Sequence, residues 1–254
     1  MTSLQNKIES DPPPPESEMG LLEHLRELRK RLVYSFLFIV VGAVAAYSYS
    51  NLVFDILNEP YRFAFPQNIL IGTGPAEAFM IRIKVAFFVG AILSSPLLFT
   101  QVWLFVAPGL YEHEKKMLIP FVVISSFLFL AGISLCYYFV LPLAFKFFHE
   151  QYQAIGIVPE IKISELLSVM VSSLLGFGVV FELPVLAYFL GRAGIINHRM
   201  MISSARYAVF AIFVVSAVLT PPDVLSQFLM ATPLTLLYAV SILVVKWAEP
   251  KQDH

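Results

Sequence analysis

Gly20–Asn51, GLLEHLRELRKRLVYSFLFIVVGAVAAYSYSN, joins a charged helix directly to a membrane span. Leu21, Leu25, Leu28 and Leu32 recur at helical spacing and form one narrow apolar stripe. The other faces carry Glu23, His24, Arg26, Glu27, Arg29, Lys30 and Arg31. Glu27 and Arg31 stand four apart in the favourable order, whereas Glu23 and Glu27, at the same spacing, repel. After Arg31 no charge appears before Asp55, more than the roughly 20 residues that a bilayer crossing needs. Two readings of the charged segment stay open. It anchors the chain at the membrane surface, or it also presents the Glu27 carboxylate to a cationic partner there.

The rest of the chain repeats the membrane pattern. Of its 254 residues 58% are hydrophobic and 14% charged, which is not the composition of a soluble domain. A net charge of -1 excludes a basic nucleic-acid binder, and one cysteine, Cys136, excludes a disulfide framework. Apolar runs predict an all-α polytopic protein with six transmembrane helices at about 32–51, 78–99, 117–141, 164–190, 205–219 and 224–245. The uncharged run Met117–Phe145 would reach about 43 Å against a hydrocarbon core of about 30 Å, so it tilts or projects before Pro142 disrupts it. The fifth span would reach only about 22 Å. Residues 20–247 then form the membrane domain, between a Pro-rich disordered tail at 1–19 and a short C-terminal tail at 248–254. The first tail, with acids and no apolar core, resembles neither a secretory signal nor a transit peptide.

Six crossings put both termini on one side. Of the 17 Lys and Arg, only Arg62, Arg82, Lys84, Lys146 and Lys162 fall on the opposite side, and Arg29–Arg31 abut the first span. The positive-inside rule therefore predicts both termini in the cytoplasm of a multi-pass inner-membrane protein.

Candidate sites follow from placement. The outer segment after Asn51 holds Val53, Phe54, Ile56 and Leu57 before Pro60, and reads as an interfacial helix ended by Pro60 or as a connecting loop. Glu77 opens the second span and can pair with Arg82 or Lys84. Gln101–Lys116, QVWLFVAPGLYEHEKK, offers Trp103, Phe105 and Tyr111 for an aromatic belt, and Glu112 and Glu114 at the membrane depth of Glu27. Carboxylates on a basic surface suit arginine, whose planar guanidinium pairs with them bidentately. Glu182 lies deep in the fourth span, before Pro184, where insertion costs roughly 2.5–3.5 kcal/mol. It reads as a functional carboxylate or as a structural hydrogen-bonding one. Asp223 follows two prolines in a turn that tolerates it readily. No phosphate loop, dinucleotide fingerprint, zinc pair or nucleophile elbow is present, so no cofactor, metal or enzymatic activity is expected.

Five separated motifs add a resemblance: HLRELRKRL at His24–Leu32, the loop at Gln101–Lys116, FVLPLAF at Phe139–Phe145, FGVVFELPV at Phe177–Val185 and LTPPDVLSQ at Leu219–Gln227. In this order they resemble the TatC family, the C subunit of the twin-arginine protein translocase. The resemblance implies a concave six-helix cup with short fifth and sixth helices. It implies a receptor for folded proteins whose signal peptides carry paired arginines, bound through Glu27 and Glu114 with Arg29 and Phe105 beside them. Pro60, Pro96, Glu182 and Asp223 also fall on family motif positions. Implied partners are single-span TatA-like and TatB-like subunits, the bilayer and further copies of this chain, with transport driven by the proton-motive force. The competing reading is a proton-coupled small-solute transporter titrating at Glu182. It predicts internal repeats and several intramembrane charges, and the chain has one deep carboxylate and no evident repeat.

Overall fold

The computed structural model describes residues 16–106, 118–219 and 223–249, whose regular structure is helical apart from one isolated bridge between Ile71 and Lys162. Helix α1, Glu16–Tyr47, carries the charged segment and the first span without a break, and it begins inside the stretch predicted as tail. It packs on α3, Glu77–Leu93, and on α4, Ser95–Val106. Glycines make the first contact. A Cβ on Gly42 would stand 2.9 Å from the Gly90 carbonyl oxygen, and a Cβ on Gly90 would stand 2.5 Å from Ala43 N. Small residues permit this approach where lipid supplies no hydrophobic drive between helices. Ser94 then donates from Oγ to the Phe38 carbonyl at 2.8 Å. The chain bends by 59° between α3 and α4, where Pro96 cannot supply the N–H that would continue the helix.

The outer segment is an ordered cap. Helix α2, Ser50–Ala64, buries Leu57, Tyr61 and Phe65 just beyond its end, and packs on α3 and α6. Pro60 does not end it, contrary to the sequence expectation. Proline leaves the carbonyl four residues back, that of Ile56, without its donor. Tyr137 Oη donates to that carbonyl at 2.6 Å, so the helix continues to Ala64.

The third span likewise runs past its proline. Helix α5, Leu118–Leu135, passes through a π-helical turn at Cys136–Val140 into α6, Leu141–Ala154. Leu141 N–H bonds to Cys136 O, five residues back, and the widened turn accommodates the Pro142 ring at the start of α6. The apolar stretch Ile119–Ala154 has 36 residues, about 54 Å of helix, longer than the roughly 30 Å of a hydrocarbon core, and α6 at its far end packs on α2.

The fourth span is α7, Ile163–Val180, followed after Phe181 and Glu182 by α8, Leu183–Arg192. Helix α7 packs on α5 through Gly132, where a Cβ would stand 2.7 Å from the Phe177 carbonyl oxygen. After the short α9, His198–Ser203, come α10, Ala205–Leu219, and α11, Val224–Ala248, packed on each other, with α11 also on α8. Helix α10, with 15 residues, is short as expected. Helix α11 is not: its 25 residues reach about 37 Å, because Pro233 is accommodated within it. Among the described residues four helices are long and apolar enough to cross a membrane, and five if the bent α3–α4 pair is one span.

Glu77 pairs with neither Arg82 nor Lys84. Its carboxylate accepts from the backbone N–H groups of Thr73, Gly74 and Ser164, fixing the end of the outer segment to the start of α7. Lys84 Nζ donates instead to Ser168 Oγ at 2.7 Å.

Candidate functional site

Two contacts zip the charged part of α1 to α4. His24 stacks on Phe105 with ring centroids 4.3 Å apart. Two helical turns along, Arg31 Nη1 donates to Gln101 Oε1 at 3.3 Å. Glu27 lies between them on the same helix, and its Oε1 accepts from Arg31 Nη2 at 3.2 Å, the pair read from the sequence. The Glu27 and Arg31 side chains are 29% and 24% exposed, so this carboxylate is reachable from water but partly shielded. Arg29 is exposed on the same helix, beside Lys30. Glu114, with Glu112 and Tyr111, lies outside the described residues. The structure thus brings Glu27 and Phe105 to one α1–α4 edge through Arg31, Gln101 and His24.

Trp103 is not part of a lipid-facing belt. It is 7% exposed and packs between Phe121 of α5 and Phe189 of α8, with centroids 5.2 Å and 3.8 Å away. The alternation of faces along α4 turns Phe105 toward α1 and Trp103 toward α5 and α8. Leu25, Leu28 and Leu32 are exposed, as an anchoring stripe requires.

Glu182 stands apart from this edge. It occupies the turn between α7 and α8, beside the Ser125 hydroxyl of α5, and its Oε1 is buried with no hydrogen-bond partner among the described residues. An apolar groove of about 360 Å³ runs alongside, between Phe121, Ile124, Leu128, Pro184, Tyr188 and Val244. Asp223 caps α11, accepting from Ser226 N–H at 2.7 Å, which explains its place after the two prolines.

Gln101, His24, Ser125 and Tyr137 were not singled out by sequence. Their roles depend on which residue of another helix faces them, and residue type and spacing along one helix give no signal of that. Among the described residues no group of His, Cys, Asp or Glu is placed to hold a metal ion.

Residues 23–233 match the family model described as TatC, Sec-independent protein translocase protein. The Sec-independent protein translocase protein TatC of Magnetococcus marinus is 41% identical, over 93% of this chain and 88% of its own length. That of Helicobacter pylori is 40% identical, over 92% and 94%. A crystal structure of the twin arginine translocase receptor TatC superposes with a TM-score of 0.81 at 38% identity, covering 89% of this chain and 99% of the other.

Proposed function

The chain belongs to the TatC family and is a core subunit of the twin-arginine translocase, and we propose that its inner edge is the receptor for paired arginines. Glu27 and Glu114 each take one guanidinium of a signal peptide, with Phe105 and Arg29 flanking them. The apolar part of the signal then enters the concave face of the helices. The observation that carries this reading is that the half-shielded Glu27 already accepts from a guanidinium, that of Arg31, on the helix that stacks His24 on Phe105. A carboxylate in that setting supplies what an arginine needs.

The protein is multi-pass, and we take six crossings with both termini in the cytoplasm. The α3–α4 pair is one bent span, and α10, at about 22 Å, crosses where the bilayer is thinned. The Glu182 carboxylate serves as a polar contact within the membrane for a partner helix or the inserted signal. TatA-like and TatB-like single-span subunits dock along α10 and α11, and the proton-motive force drives export. Pro60, Pro96 and Asp223 act through the helices they shape. The comparisons give no support to a small-solute transporter.

Binding of a synthetic twin-arginine signal peptide tests the receptor. Losing one desolvated, charge-assisted pair costs about 2–5 kcal/mol, so Glu27→Gln or Glu114→Gln should weaken binding at least about thirtyfold. Both variants should still insert in the membrane. Wild-type affinity in both would overturn the assignment.

A further inference from the structure

Glu27 is already occupied, and its occupant is badly fitted. Arg31 gives it one hydrogen bond, at 3.2 Å, and turns the other terminal nitrogen to Gln101 Oε1 at 3.3 Å. Its Nε is buried without a partner among the described residues. The guanidinium therefore forgoes the two parallel bonds that a carboxylate and an arginine form when both are free to align. Its place is set by the helix, one turn beyond Glu27, and from there it meets the carboxylate through a single terminal nitrogen.

We propose that Arg31 is the resting occupant of the Glu27 carboxylate and that an incoming signal arginine displaces it, so that Arg31 sets the affinity threshold of the receptor. This rests on the reading of Glu27 as a receptor group. The exchange replaces a single bond with a bidentate pair. Gln101 retains the displaced guanidinium by its other nitrogen, so Arg31 is not left without a partner when it yields. Until a competent ligand arrives, the internal pair keeps the carboxylate from single cations, such as lysine side chains, that cannot form the fork.

The test uses the full-length protein in detergent. Its probes are a synthetic signal peptide with two adjacent arginines and the same peptide with two glutamines. Removing a competing half-exposed pair gains little, and Arg31→Gln should bind the arginine peptide about two- to fivefold more tightly. Arg31→Lys should gain less, because an ammonium still neutralises Glu27 but reaches Gln101 poorly. Affinity for the glutamine peptide should not change. A merely structural Arg31 would lower affinity when replaced, and unchanged or weaker binding by both Arg31 variants overturns the proposal. Glu27→Gln separates the two levels. If it binds weakly while the Arg31 variants show no gain, the receptor stands and the occupant falls. If it binds as wild type does, both fall.

Discussion

Replacing Gly90 with alanine should disturb the α1–α4 contacts around Arg31 from a distance along the helix. The new Cβ would meet Ala43 N at 2.5 Å, Ile39 O at 2.7 Å and Ala43 Cα at 2.9 Å, all backbone atoms of α1. Ordinary contacts begin near 3.4 Å, so α1 and α3 must separate by about 1 Å. Neither wall is a flexible side chain, so the strain cannot be relieved locally. Overpacking of this kind costs typically about 1–3 kcal/mol, which for a chain of this size lowers the melting temperature by about 2–12 °C. The separation also threatens the 2.8 Å bond from Ser94 to Phe38 O and, further along α1, the 3.3 Å bond from Arg31 to Gln101. Thermal unfolding in detergent and export of a twin-arginine reporter should both fall in Gly90→Ala. Gly74→Ala, whose Cβ meets nothing within 4 Å, should leave both unchanged. Wild-type melting of Gly90→Ala would refute the idea that a glycine contact sets how α1 is held.

Other outcomes follow from single contacts. Tyr137→Phe removes the donor to Ile56 O and should destabilise the outer cap by about 0.5–1.5 kcal/mol; adding Pro60→Ala restores a backbone N–H four residues on, and the double variant should recover most of that loss in a denaturation series. Asp223→Ala deletes the cap of α11 and should cost about 0.5–2 kcal/mol, while Asp223→Asn costs much less. The backbone N–H of His198 holds the Glu249 carboxyl below the usual carboxylate range, so that contact stabilises fully above about pH 4.3 and is lost as pH falls through the lower folded value. Hydrogen-exchange protection of the His198 amide should follow that acid transition and be absent in Glu249→Ala.

The all-helical membrane architecture was legible because the bilayer imposes one rule, long uncharged runs, and among the described residues four helices, or five with the bent α3–α4 pair, obey it. Glu27 was legible too, since its partner Arg31 lies on the same helix at a spacing that needs no tertiary information. What escaped was whatever depends on a second helix. The prolines at 60 and 142 read as breaks because a backbone N–H is missing there, and only the fold shows Tyr137 and a π-helical turn making good the loss. Trp103 read as interfacial because its position along α4 was known and its facing was not. Glu77 carried a charge beside two cations, yet backbone N–H groups from Thr73, Gly74 and a helix 87 residues away hold it instead.

The central claim, that this inner edge receives paired arginines, is tested most directly by a photo-crosslinking residue in place of Phe105, whose ring stacks on His24, one helical turn before Glu27. A precursor with two adjacent arginines should form an adduct at that position, and the adduct should disappear when its arginines become glutamines or when Glu27→Gln is introduced. Equal adducts with the arginine and glutamine precursors, undiminished by Glu27→Gln, would contradict the account.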